Sequence, residues 1–208
     1  MEPQAEPRPR AAGRQAPAAR RWVPIRTLGP RHRARVLEHL LALDNEDRTR
    51  RFGHQASDER IRQYVEQMDF EGDAIFGVFD RRLRLGALVH LAFGGASSLD
   101  DGSAEFGISI WPDLRQRGIG TLLFEHACTL ARNRRVRNLV IHMARDNAAM
   151  LAIVRGVGAK LSFEGSDAIA TLPLEADTLV TQLQELFGHQ AAEWDYRLKL
   201  QGLRTTGA

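Results

Sequence analysis

The sequence predicts an α/β or α+β domain in which helices punctuate a sheet. Three observations carry that expectation. Short apolar runs of strand length recur along the chain, and segments with helical spacing of apolar residues separate them. One strand runs through a short loop straight into a helix that opens on two glycines. The 208 residues are 43% hydrophobic and 26% charged, which suits a soluble domain with a real core.

The elements follow in order. Residues 1–21 hold Pro, Ala, Arg and Gly with almost no bulky apolar side chain. Such a segment buries too little surface to offset its ordering entropy, and it reads as a disordered tail. Trp22 to Leu28 reads as a first strand. Gly29-Pro30 opens a helix carrying Val36, Leu37, Leu40 and Leu41. Ser57 is an N-cap, with Asp58 and Glu59 in the positive first turn. Ile61, Tyr64, Val65 and Met68 then recur at helical spacing. Ala74 to Phe79 and Leu83 to Leu91 read as strands, with Asp80, Arg81 and Arg82 in a hairpin turn between them.

Ala104 to Ile110 alternates. Ala104, Phe106, Ile108 and Ile110 share one face; Glu105, Gly107 and Ser109 share the other. Trp111-Pro112 ends that strand. Asp113 to Arg117 form a loop, and Gly118 leads into a helix with the stripe Ile119, Leu122, Leu123, Ala127 and Leu130. Asn138 to Met143 reads as a buried strand. Asn147 to Val154 reads as a helix stopped by Gly156 and Gly158. Lys160 to Phe163 and Ala168 to Leu172 complete the strands. Beyond Asp177, the stripe Leu179, Leu183, Leu186, Phe187, Trp194 and Leu198 predicts an extra amphipathic helix, interrupted at Gly188. It is read as packing on the domain, with a homodimer contact as the sharper alternative. The expected organisation is therefore a tail at 1–21, one domain at 22–175 and a helical extension at 176–208.

Charge and cysteine content exclude several classes. Arg8, Arg10, Arg14, Arg20 and Arg21 against Glu2 and Glu6 place the net charge of +3 in the tail. The rest is near neutral and shows no footprint for nucleic acid. An anionic partner for the basic tail is the alternative. Cys128 is the single cysteine, so no internal disulfide forms, and a reducing cytoplasm is permitted. No apolar run spans a bilayer, and no secretory signal is expected at the start. No His/Cys/Asp spacing suggests a metal. His90 and His142, in strands, are possible bases but read first as structural. Cys128 reads as a small buried hydrophobe.

The informative segment is Arg115-Gln116-Arg117-Gly118-Ile119-Gly120-Thr121. At a helix start several backbone N–H groups lack internal partners, and the macrodipole adds positive charge. Together they form an anion site suited to a pyrophosphate. Arg115 and Arg117 can add charge. A dinucleotide fingerprint fails because Leu123 stands at the third glycine position, and a P-loop fails because no lysine follows Gly120.

The remaining pattern, R-x-x-G-x-G on Arg115, Gly118 and Gly120, resembles the acetyl-CoA motif of the GNAT superfamily of N-acetyltransferases. Glu105 to Ile110 resembles the strand before that motif, Leu139 to His142 the strand after it, and Asn147 to Gly158 the next helix. The resemblance covers roughly residues 22–173. Asp47-Arg48, Arg51-Phe52, Ser57-Asp58, Ile61, Tyr64 and Asp69-Phe70 further resemble the domains of bacterial Pat-type protein-lysine acetyltransferases and their stand-alone relatives. The resemblance implies a mixed, mostly antiparallel central sheet flanked by helices. It implies acetyl-CoA as cosubstrate, no metal, and direct attack by an amine without an acyl-enzyme. The acceptor is then a small molecule or a protein lysine. Glu105 is the candidate base that yields the neutral amine. Ile108, Ser109 and Ile110 are candidate backbone donors to the developing oxyanion. Arg115, Gln116, Arg117, Gly118, Ile119, Gly120 and Thr121 are assigned to the pyrophosphate. Asn147 is assigned to the pantetheine or acetyl region, or to an N-cap of its helix. The tyrosine that often protonates the leaving thiolate is replaced by Val154, which leaves water, Ser162 or substrate for that proton. A module that binds acyl-CoA without catalysis is the rival from another class.

Overall fold

A computed structural model describes residues 23–94 and 102–174. The 1–21 tail, most of the loop Gly94 to Gly102 and the C-terminal stripe lie outside the described residues. Within them the elements are β1 (Ile25–Thr27), α1 (Arg33–Leu41), α2 (Asn45–Phe52), α3 (Asp58–Gln67), β2 (Ala74–Phe79), β3 (Leu85–Ala92), β4 (Ser103–Ile110), α4 (Ile119–Asn133), β5 (Asn138–Ala144), α5 (Ala148–Gly156), β6 (Lys160–Glu164) and β7 (Asp167–Pro173). One seven-stranded sheet has the order β1-β2-β3-β4-β5-β7-β6. Every neighbouring pair is antiparallel except β4 with β5. The mixed α/β class with a mostly antiparallel sheet is as expected.

The period-2 pattern of the strands builds two cores. Phe76, Val89, Phe106, Leu139, Ile141 and Ala170 point to one face and bury against Leu123, Phe124 and Ala127 of α4 and Leu151 and Val154 of α5. Phe106 and Phe124 meet edge to face, with ring centroids 5.2 Å apart. On the other face Ile75, Phe79, Leu85 and Leu88 bury against Val36 and Leu40 of α1 and Ile61 and Val65 of α3. α4 and α5 thus cover one face. The second core takes its strand residues from β2 and β3 alone, so over β4, β5 and β7 the other face is left for α2 and a cavity.

The structure corrects the sequence reading in the N-terminal part of the domain. Two helices were expected before the first hairpin, and three are present. The missed one, α2, has the sequence NEDRTRRF and only one bulky apolar residue, Phe52. Polar groups hold it instead. The Asp44 side chain accepts from Asp47 N at 2.8 Å, Glu46 and Asp47 lie in the positive first turn, and Gly53 ends the helix at φ 77°. Arg48 donates to the carbonyls of Leu41, Leu43 and Ala56 at 2.9–3.0 Å and pairs with Asp58 at 2.8 Å. One guanidinium therefore satisfies orphan carbonyls at the end of α1 and ties α1, α2 and α3 together. The first strand is also shorter than expected, spanning Ile25–Thr27.

His39 of α1 is fully buried and stacks on Trp111 with ring centroids 5.5 Å apart. Its Nδ1 faces the Leu85 carbonyl oxygen at 2.8 Å, so Nδ1 carries the proton and donates. Nε2, 2.7 Å from Ser109 Oγ, then accepts from the hydroxyl. Burial pushes its pKa down to about 4 from 6.5. The unfolded chain therefore binds this proton more readily between those values. Stability contributed by neutral His39 is complete above about pH 6.5 and is lost as pH falls toward 4, with a slope approaching about 1.4 kcal/mol per pH unit. Urea midpoints measured from pH 7.5 to 4.5 should fall accordingly, and His39 should stay neutral by NMR through pH 5. An imidazole that titrates near 6.5 in the folded protein would contradict this.

Candidate active site

The site begins where two strands part. β4 and β5 pair in parallel only at Ser103↔Asn138, Ala104↔Leu139 and Glu105↔Val140. β4 continues to Ile110 and β5 to Ala144 without pairing to each other. Two cavities open beside this divergence, and Arg51 of α2 lines both.

The first cavity, about 550 Å³, lies between the loop after β4 and the start of α5. Its wall includes Ile108, Ser109, Ile110, Arg115, Gln116, Gly118, Ile119, Gly120, Thr121 and Asn147. The loop's conformation accounts for its shape. Gln116 at φ 58° and Gly118 at φ 73° both adopt left-handed backbone, and Gly118 is the N-cap of α4. Leu122 N bonds Gly118 O at 3.1 Å as the first turn closes. The N–H groups of Ile119, Gly120 and Thr121 precede that bond and so have no partner within the helix. A Cβ on Gly120 would stand 3.5 Å from Ile110 Cδ1 and from Ile153 Cδ1. The bare glycine therefore keeps the floor of the groove open. These features suit a phosphate-bearing ligand with an apolar arm.

Other nominated residues have more specific duties than the sequence suggested. Arg115 donates from Nε to the Ile110 carbonyl at 2.9 Å, and its Nη2 pairs with Asp47. Asp47 is buried and also faces Arg50 at 3.6 Å. The Arg115 guanidinium thus pins the glycine loop to β4 and α2. Arg117 is exposed and lines neither cavity. Ile119 is buried, so it meets the groove through its backbone. Asn147 Oδ1 accepts from Met150 N at 3.1 Å, which makes it the cap of α5 as well as groove wall. Val154 points wholly into the core, and the groove face of α5 presents Ala149, Ala152 and Ile153. No α5 residue that lines the groove carries a phenol. Ser162 is exposed and lines neither cavity.

The second cavity, about 720 Å³, opens on the uncovered face. Glu105 and Gly107 of β4, His142 of β5, and His90, Tyr64 and Arg51 line it. Glu105 is exposed, and among the described residues it makes no ion pair. The other wall is a directed chain of hydrogen bonds. Asp73 Oδ1 accepts from Phe93 N at 3.0 Å, and its Oδ2 faces His90 Nε2 at 2.8 Å. A carboxylate fixes the proton on Nε2, so His90 Nδ1 accepts from Tyr64 Oη at 2.6 Å. Tyr64 Oη in turn accepts from Arg51 Nη2 at 2.6 Å. A Cβ on Gly107 would lie 2.6 Å from Arg51 Cζ, so glycine there is what lets the guanidinium rest on the strand. His90 was read as a structural residue, and it is one with a cavity beside it. The sequence reading missed the Arg51–Tyr64–His90–Asp73 chain as a unit, because four elements contribute to it. Burial pushes the Cys128 thiol up to about 11, which fits the packing role expected of it.

Comparison with known proteins fits this architecture. The sequence matches the family described as "Acetyltransferase (GNAT) domain" over residues 24–160. The fold is similar to the GNAT domain of PAT from S. lividans, at 19% identity and TM-score 0.60, covering 72% of this chain and 89% of that one. It is similar to a ribosomal-protein-alanine N-acetyltransferase from Brucella melitensis, at 18% identity and TM-score 0.56, covering 72% and 99%. It is also similar to an N-acetyltransferase from Staphylococcus aureus, at 14% identity and TM-score 0.56, covering 73% and 98%. No curated protein matches at the sequence level.

The left-handed backbone at Gly118 makes a simple stability prediction. Gly118→Ala should cost about 1–2 kcal/mol, since a Cβ is disfavoured in that conformation, and thermal unfolding should drop by a few degrees. An unchanged Tm would mean that the loop can rearrange freely.

Proposed function

From the premise that this chain belongs to the GNAT family of acetyltransferases, we propose that it transfers an acetyl group from acetyl-CoA to a primary amine by direct attack, with Glu105 as base. The carrying observation is the divergence of β4 and β5 beyond Glu105, with a helix N-terminus on one side and a polar cavity on the other. Acetyl-CoA supplies the activated acyl group. Gly118 to Thr121 offer it unpartnered N–H groups for the pyrophosphate, with Gln116 beside them. Ile108 and Ile110, half-buried at the groove, provide an apolar wall for the arm. Beyond Glu105 β4 stays paired with β3 but not with β5, and its backbone on the β5 side, at Ile108 and Ile110 on either side of Ser109, is the source of donors for charge that develops on a carbonyl oxygen.

Ser109 has a defined part in this reading. Its hydroxyl proton is committed to His39, so toward the groove the oxygen is an acceptor. Asn147 closes the opposite wall. Arg115 acts indirectly, by holding the glycine loop in place. Glu105 stands in the second cavity, solvated and three residues before the donors, and takes the proton of the incoming ammonium. No phenol on α5 reaches the groove, so the departing thiolate leaves without one.

A protein amine is the second reading of the acceptor. The similarity to the GNAT domain of PAT motivates it, and the residues around Arg51-Phe52 add to that likeness.

Titration calorimetry tests the cofactor assignment. Wild-type protein should bind acetyl-CoA in the micromolar range, and a folded Gly118→Asp/Gly120→Asp variant should not. Equal binding by both would remove the loop from the site. On a substrate that the wild type acetylates, Glu105→Gln should lower kcat/KM by about 100-fold or more at neutral pH. Full turnover by that variant would rule Glu105 out as base.

A further inference from the structure

We propose that the acceptor is an amino-carboxylate, an amine carrying a carboxylate a few bonds away, and that Arg51 binds its carboxylate. The inference deepens the transfer reading above and rests on it. The observation behind it is a cation without an internal counter-ion. Arg51 has no carboxylate partner among the described residues. Its Nε is buried and meets no acceptor. Only Nη2 is engaged, and its partner is the neutral Tyr64 hydroxyl. A guanidinium held away from bulk water in this way gains most from an anion that takes two of its N–H groups in parallel. The terminal edge of the fork, Nη1 with Nη2, offers such a pair, and Nη1 has no hydrogen-bond partner among the described residues.

The arrangement around Arg51 prepares it for a ligand. The chain Asp73–His90–Tyr64 fixes the orientation of Nη2 from behind. The rings of Phe52 and Tyr64 lie 5.1 Å and 5.4 Å from Cζ and limit its movement. Gly107 supplies the gap in which the guanidinium sits. Glu105 projects from the same face of β4, two residues along and roughly 7 Å away by strand geometry. The cavity thus presents a carboxylate for an amine and, one strand repeat further, a cation for an anion. A short amino acid spans that separation with its nitrogen at Glu105. At about 720 Å³ the cavity also has room for a side chain. The lysine side chain of a polypeptide has no carboxylate at that distance, so the arrangement favours a free amino acid over a protein lysine.

The test compares acids with their amides. Glycine, β-alanine, γ-aminobutyrate and the common α-amino acids are assayed with acetyl-CoA beside the amides of the same compounds. Wild type should show at least tenfold higher kcat/KM for the best acid than for its amide. Arg51→Gln should raise KM for the acid at least tenfold and bring the acid-to-amide ratio toward one. Tyr64→Phe, which removes the bond that orients Arg51, should give an intermediate ratio. Equal use of acids and amides by wild type would overturn the proposal. So would an Arg51→Gln variant whose kcat drops equally for both while the ratio persists, since Arg51 would then serve the common chemistry. A binding arm needs no turnover: N-acetylated amino acids should raise the Tm of wild type more than the N-acetylated amides do. Such selective binding without transfer to any amine would support the Arg51 subsite and count against the transfer reading alone. Absence of both selectivities would overturn the subsite. If Arg51→Gln does not fold by circular dichroism, Arg51→Lys replaces it. A point charge in place of the planar fork should lose most of the acid preference.

Discussion

Strands β4 and β5 are parallel neighbours that pair for three residues and then separate. Both cavities beside these strands depend on that separation. A parallel ladder that continued to Ile110 would use its backbone groups on β5 and leave no opening. Because the ladder stops at Glu105, the end of β4 keeps backbone donors and acceptors for other uses. The Ile110 carbonyl takes Arg115, and Ile108 to Ile110 face a groove. The same divergence sets Glu105 at the apex, with one cavity to either side.

Parting strands expose polar backbone, and the structure compensates with charge rather than with apolar cover. α2 lies over the opening, and its burial is too slight to hold it by hydrophobic contact. Asp47 binds Arg115 and Arg50, and Arg48 ties the helix to its neighbours. Asp47 is buried, so removal of one partner from that cluster would strand a charge away from water. The cluster therefore couples the glycine loop to α2, and through α2 to Arg51. The glycine loop and the second cavity share one polar scaffold.

Two histidines show how position decides the role of a side chain. His39 and His90 each have one ring nitrogen set by an acceptor and the other free to accept a hydroxyl proton. His39 uses this to orient Ser109 beside the groove. His90 uses it to orient Tyr64, and through Tyr64 the guanidinium of Arg51. In both cases a buried chain begins at a fixed acceptor and ends at a cavity wall.

The sequence by itself determined the elements whose signal is local. The alternation from Ala104 to Ile110, the stripe from Ile119 to Leu130 and the pair Gly118 and Gly120 each act through their own neighbours in the chain. They were sufficient for the α/β class, for a helix start with unpartnered N–H groups and for the place of Glu105 on the strand before it. α2 escaped because its stability comes from partners at distant positions, such as Arg115 for Asp47, and not from an apolar stripe. Tertiary structure alone decided that Arg115 braces the loop, that Arg117 stays outside, and that Val154 turns into the core. Helical phase and ion-pair choice depend on what packs against a residue, and sequence spacing leaves both open. It also decided that Arg51, Tyr64, His90 and Asp73 form one chain. Those residues come from α2, α3, β3 and the turn before β2, and only the folding of the sheet brings their side chains within hydrogen-bond distance.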